Sequence, residues 1–246
     1  MKLIPPGIDE YQVSEDLFQP FVFKEDWAKI VHMTGDKFFL CGGSNEDKSN
    51  GWLPSVYSKK TFKIDVVSGA MIRLADMNSK RQAHGLCKIG QYIYACGGLQ
   101  SCEVALKSCE RYDINKNTWS KDVPDMEEAK YSHTMIVVSN TWLYAFGGAY
   151  DLYFDDRTSQ TVERFNTSSI KNNCDYNNNS NWEMIVMKSG HKTLCQQGVI
   201  QLSRQLDDDH VRYLIFGGIQ TDYQDETFIF NENIKDYSKS YCSDLA

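Results

Sequence analysis

Short apolar blocks alternate with polar stretches along the chain, and four of these blocks end in a glycine pair. Phe38-Phe39-Leu40-Cys41 runs into Gly42-Gly43, and Tyr92-Ile93-Tyr94-Ala95-Cys96 into Gly97-Gly98. Leu143-Tyr144-Ala145-Phe146 runs into Gly147-Gly148, and Tyr213-Leu214-Ile215-Phe216 into Gly217-Gly218. Successive pairs begin 55, 50 and 70 residues apart. A period of that length belongs to stacked supersecondary units rather than to one sheet. The blocks are rich in Val, Ile, Tyr and Phe and bounded by Gly, Asn, Asp and Ser, which predicts antiparallel strands and reverse turns with no helix.

A second pattern follows each glycine pair. After a polar loop comes a bulky residue next to Asp or Asn, then a further bulky residue seven positions on: Tyr112-Asp113 to Trp119, Ile64-Asp65 to Met71, Phe230-Asn231 to Tyr237. The third unit stretches the interval, from Phe165-Asn166 to Trp182, with an Asn-rich polar insert too poor in apolar surface to pack. Each unit continues through a basic residue three positions before a histidine: Arg81 to His84, Lys130 to His133, Lys188 to His191. Four strands per unit are expected. The glycines allow positive φ and close backbone approach, and Tyr112, Trp119, Phe165, Trp182, Phe230 and Tyr237 are expected to fill the space between neighbouring sheets.

The chain has 246 residues, 41% hydrophobic and 24% charged, with a formal net charge of −7. That size supports a substantial apolar interior, and the acidic balance argues against nucleic acid or anionic membrane as a general partner. The first residues lack the apolar core of a secretory signal, and the expected location is cytoplasmic. Eight cysteines are present, none in a Cys-x-x-Cys pair, so reduced, packed thiols are expected rather than a metal or redox site. No cofactor is called for.

The apolar run into Gly-Gly, then Tyr-Asp, then Trp seven residues on, then Met and a basic residue, resembles the kelch repeat. The second unit carries the full pattern, and the resemblance extends over about residues 28 to 240. It implies an all-β, kelch-type β-propeller of antiparallel four-stranded blades. Four repeats are recognisable, about 28–76, 77–126, 127–187 and 188–240. Residues 1–27 form an N-terminal segment available to supply closing strands, and residues 241–246 a tail. A divergent fifth unit and an incomplete closure both stay open.

The resemblance also implies a non-catalytic scaffold that binds a protein or peptide through loops at one face, with cytoskeletal and ubiquitin-ligase components among the candidate partners. The residues that would meet the partner are Asn45, Gln100, Tyr150 and Gln220 after the glycine pairs, Trp52 in the first loop, and Arg81, Lys130 and Lys188 before the innermost strands. The three bases would form a rim suited to an acidic peptide. Two alternatives accompany this reading. One is an enzyme of the kelch-like type, a sugar mutarotase or metal-dependent oxidase, with His84, His133 and His191 converging near the axis; the bland account makes these histidines polar core residues bonded to a neighbouring strand. The other is a ubiquitin-ligase substrate receptor acting with a separate adaptor chain.

Overall fold

The computed structural model describes residues 23–46, 54–101, 104–150, 159, 161–170, 181–185, 198–202, 210–216, 228–233 and 241–244. The first unit contains β1 (Lys29–Thr34), β2 (Lys37–Cys41), a hairpin of β3 (Ser44–Glu46) and β4 (Pro54–Tyr57), then β5 (Thr61–Asp65) and β6 (Ala70–Arg73). The second repeats this order with β7 (Gly85–Ile89), β8 (Tyr92–Cys96), a hairpin of β9 (Leu99–Ser101) and β10 (Val104–Ala105), β11 (Cys109–Asp113) and β12 (Thr118–Ser120). The third comprises β13 (Thr134–Val138), β14 (Trp142–Phe146), β15 (Val162–Asn166) and β16 (Glu183–Ile185). The fourth comprises β17 (Gly198–Gln201), β18 (His210–Phe216), β19 (Phe228–Asn233) and β20 (Tyr241–Asp244).

Each unit makes its own antiparallel four-stranded sheet, in the orders β1-β2-β5-β6, β7-β8-β11-β12, β13-β14-β15-β16 and β17-β18-β19-β20. The first strands neighbour one another in succession, β1 beside β7, β7 beside β13 and β13 beside β17. The four sheets are the blades of a four-bladed β-propeller. No α-helix occurs among the described residues; a single 3-10 turn spans Thr167–Ser169.

The two-residue period of a strand explains why the middle blades are apolar throughout. Along β8, Ile93 and Ala95 pack with Phe39, Cys41 and Tyr112 between the first and second blades. Their neighbours Tyr94 and Cys96 point the other way and pack with Leu143, Ala145, Phe165 and Trp182 of the third. Along β14 the alternation repeats: Tyr144 and Phe146 join Tyr213, Ile215 and Phe230 of the fourth blade. A strand buried on both faces needs a continuous apolar run.

The Asp or Asn after the bulky residue closes a turn. Asp65 Oδ1 accepts from the backbone N–H groups of Val67 and Ser68, Asp113 Oδ1 from those of Asn115 and Lys116, and Asn166 Oδ1 from that of Ser168. A short carboxylate or amide side chain is suited to this local bond. The turn returns the chain so that Tyr112 pairs with Trp119 and Ile64 with Met71. In the third blade Arg164 pairs with Glu183, which sets Trp182 beside Phe165, ring centroids 5.6 Å apart.

The fourth blade departs from the expected spacing. Phe230 pairs with Cys242, not with a residue seven positions on; Tyr237 lies outside the described residues, as do Gly217, Gly218 and the Asn-rich insert of the third unit. Residues 241–244, expected as tail, are the outer strand β20 and complete this sheet from its own C-terminal side. At the other terminus, Asp26 bridges to Ser44 and the Phe23 ring packs edge-on to Phe62 at 5.7 Å, so residues 23–27 are tied to the first blade. Among the described residues the four buried cysteines, Cys41, Cys87, Cys96 and Cys109, are free thiols.

Candidate binding end of the propeller

All described glycine pairs lie at one end of the blades, and there the same backbone connection is made three times. The residue after the pair bridges to the residue two positions before the equivalent of His84: Ser44 to Asp26, Leu99 to Gln82, Ala149 to Tyr131. The next residue in each case has positive φ: Trp27 at 59°, Ala83 at 49° and Ser132 at 54°. These three are linked in series, because Ala83 N–H donates to Trp27 O at 3.0 Å and Ser132 N–H donates to Ala83 O at 2.7 Å. A side chain in the left-handed region is strained, and the linked bonds hold it there. The sequence reading missed this chain of contacts, although the recurring basic-x-x-His spacing marks its position.

The basic residues of that spacing have a different role from the expected rim. Arg81 is 1% exposed and Lys130 0%. Arg81 Nε donates to Glu110 Oε1 at 2.9 Å, and the remaining guanidinium nitrogens reach Gly97 O, Ser108 O and Ser108 Oγ. Glu110 in turn accepts from the backbone N–H of Asn78 at 2.7 Å. In the next blade Lys130 Nζ sits 2.7 Å from Glu163 Oε1 and donates to Thr161 Oγ1 at 3.0 Å, while Glu163 Oε2 accepts from Glu127 N–H at 2.6 Å. The carbonyls of both bases accept from the preceding blade, from Gly43 N–H at 2.8 Å and Gly98 N–H at 2.9 Å. These bases stitch blades together. A buried ion must be paired and hydrogen-bonded throughout, which leaves neither charge for a ligand.

The first blade reverses the arrangement. Glu25 stands at the Arg81 position and Lys60 Nζ pairs with it at 2.7 Å, while Phe62 occupies the place of Glu110.

The histidines are packed against the glycines of the preceding blade. A Cβ built on Gly42 would lie 2.8 Å from His84 Cε1 and 2.3 Å from Arg81 O; one on Gly97 would lie 2.8 Å from His133 Cε1 and 2.5 Å from Lys130 O. His84 Nε2 is 3.3 Å from Cys41 Sγ, whereas both ring nitrogens of His133 lack a partner among the described residues. The expected hydrogen bond to a neighbouring strand is therefore not made by His133. Burial first, then the charges of Arg81, Lys29 and His133, push His84 well below the usual histidine value; burial, then Lys130, Lys29 and Arg81, do the same to His133. Both rings are neutral and enclosed. Among the described residues no group of three or more His, Cys, Asp and Glu side chains gathers to hold a metal ion.

This end exposes several apolar side chains beside polar ones such as Lys59, Lys60 and Lys107. Trp27 is 53% exposed, Val56 of β4 55%, Val104 of β10 41% and Tyr150, next to the Ala149 bridge, 49%. Asn45 on β3 is partly buried, and Gln100 on β9 is exposed. Trp52, Lys188, His191 and Gln220 lie outside the described residues.

A kelch motif matches residues 80–126, from the base before β7 to the connector beyond β12. The chain carries a kelch repeat. Alpha-scruin of Limulus polyphemus is 30% identical over 117 residues, covering 43% of this chain and 13% of that protein. The Kelch repeat and BTB domain-containing protein 2 of Ectromelia virus (strain Moscow) is 29% identical over 113 residues, 46% of this chain and 18% of the viral protein. Kelch-like protein 25 of Xenopus tropicalis is 33% identical over 89 residues, 36% of this chain and 15% of that protein. The chain thus spans less than a fifth of each of these kelch relatives. Among the described residues of this kelch propeller, no helix is long and apolar enough to cross a membrane.

Proposed function

We propose that this kelch propeller is a non-catalytic interaction scaffold that docks a protein or peptide at the end carrying the glycine pairs. One observation carries the reading: Trp27, Val56, Val104 and Tyr150 come from three different blades, yet all belong to the elements joined at that end and all present apolar surface to solvent. Exposed aromatic side chains are the usual anchors of interfaces. Asn45 and Gln100 stand on the same hairpins and supply polar contacts around them. The enclosure of His84 and His133 by backbone favours this reading over catalysis, since neither ring can touch a substrate in this packing.

The test is proximity labelling with the intact chain, with a V56S/V104S/Y150S variant, and with a V66S/V67S control that trims apolar surface in the β5–β6 turn at the opposite end. Partner recovery at least tenfold lower in the first variant, with the control unchanged and both melting as the parent does, is the expected result. Equal recovery from all three would remove the docking role of this end.

A further inference from the structure

Three of the four buried thiols among the described residues lie in the second blade, and two of them stand opposite each other. Cys96, the last residue of β8, pairs with Cys109, the first of β11. The adjacent pair is hydrogen-bonded, with Gly97 N–H donating to Ser108 O at 3.1 Å, so the alternation of an antiparallel ladder makes Cys96 and Cys109 a non-hydrogen-bonded pair. Such a pair holds its Cα atoms about 4.5 Å apart with the side chains close together, within the roughly 4.4–6.8 Å that a disulfide spans. Both side chains enter the core shared with Leu143, Ala145 and Phe165. Burial first, then the hydrogen bond with Cys96, push the Cys109 thiol well above its usual value.

The other described thiols are placed differently. Cys87 pairs with Tyr94 and lies on β7, across β8 from β11. Its diagonal separation from Cys96 is about 7–8 Å, beyond the roughly 7 Å that a disulfide bridges. Cys41 holds the position of Cys96 in the first blade but faces Thr61, and Phe146 of the third faces Val162. Among the described residues this thiol pair occurs once. Cys102 lies outside them.

We infer that Cys96 and Cys109 are a redox-responsive pair that a hydroperoxide converts to a disulfide, stapling β8 to β11 at the foot of the β9–β10 hairpin. One sulfur attacks the peroxide, breaks its O–O bond and becomes a sulfenic acid as one water leaves. The second sulfur then attacks the first: the S–S bond forms, the S–O bond breaks, and the thiol proton departs in a second water. Two electrons pass from the thiols to the peroxide. Cys96 is 0% exposed and Cys109 3%, so the oxidant must be small and closure waits on local opening of the hairpin foot. The bond fastens the hairpin that presents Val104, and it does so whether or not a partner docks there.

The folded full chain is treated with hydrogen peroxide, its remaining thiols are alkylated under denaturing conditions, and the bonds are mapped by fragmentation mass spectrometry. A Cys96–Cys109 bond in at least half of the chains, reversed by dithiothreitol, is the expected result. It should persist in C87S and C102S and vanish in C96S. C102S fixes the assignment, because Cys102 and Cys96 share one tryptic peptide. Amide exchange over residues 92–113 should be at least tenfold slower in the oxidised chain than in the reduced one, with no such change in C96S.

Sulfinic or sulfonic acid at either position without the bond would overturn the inference. So would a bond to Cys87 or Cys102, or closure in urea but not in the folded chain. A bond that leaves amide exchange unchanged would refute the staple. The mapping is made on the parent chain, so it stands even where a variant fails to fold.

Discussion

Glu110 holds Arg81 inside the second blade through a 2.9 Å contact between side chains no more than 1% exposed. The carboxylate also fixes the connector at Asn78, so one residue neutralises the buried cation and anchors the chain leading to it. Removing one partner of a buried ion pair strands the other and costs about 3–5 kcal/mol. Glu110→Ala should lose about that much in urea unfolding. The double variant Arg81→Met/Glu110→Leu should lose less than the two single losses combined, because no unpaired charge remains.

Trp182 and Trp119 link neighbouring blades in the same way. Their indole N–H groups donate to Pro124 O at 3.0 Å and Ala75 O at 3.1 Å, each carbonyl lying in the connector that ends the preceding unit. Trp182 is 2% exposed, and truncating a buried Trp costs about 3–5 kcal/mol. Trp182→Ala should show that loss by chemical denaturation. Trp182→Phe should retain most of the packing and lose about 1 kcal/mol for the hydrogen bond, and half-buried Trp119 should cost less than Trp182 when changed to Ala.

Gly97 combines φ of 62° with the close approach of Lys130 O and His133. Ala at this position adds about 1–2 kcal/mol of left-handed strain and a collision with backbone that cannot turn aside. Gly35 has a similar φ of 54° and open space around it. Gly97→Ala should therefore lower the melting temperature more than Gly35→Ala, at about 2–4 °C for each kcal/mol in a chain of this size. Equal shifts would show that the histidine contact contributes nothing.

Acid should weaken the fold before the carboxylates titrate. His84 and His133 have depressed values in the folded state, so the unfolded chain binds more protons below the ordinary value of 6.5. Their contribution is complete above that pH and is lost as pH falls toward their folded values, at about 1.4 kcal/mol per pH unit for each group. Urea midpoints should fall between about pH 6.5 and about pH 5. His133→Gln should make that decline shallower, and an unchanged slope would refute the assignment.

Local chemistry made much of the blade legible. Glycine pairs signal backbone approach, and Asp65, Asp113 and Asn166 signal turns because a short side chain bonds to amides two or three positions on. The spacing of Tyr112 and Trp119 follows from one tight turn. The same spacing misleads in the fourth unit, where Phe230 meets Cys242 across a longer connection. The candidate site was less legible. Arg81 and Lys130 look like surface bases in a polar stretch, and the acids that bury them lie 29 and 33 positions further along.

By itself, the sequence determined the repeat, the strand order within each blade and the turns, since these depend on side-chain alternation and on hydrogen bonds between residues a few positions apart. Tertiary structure alone decided which charges remain at the surface and which apolar side chains lack cover. Those outcomes depend on how completely neighbouring blades exclude water, and desolvation is set by groups brought together from distant parts of the chain.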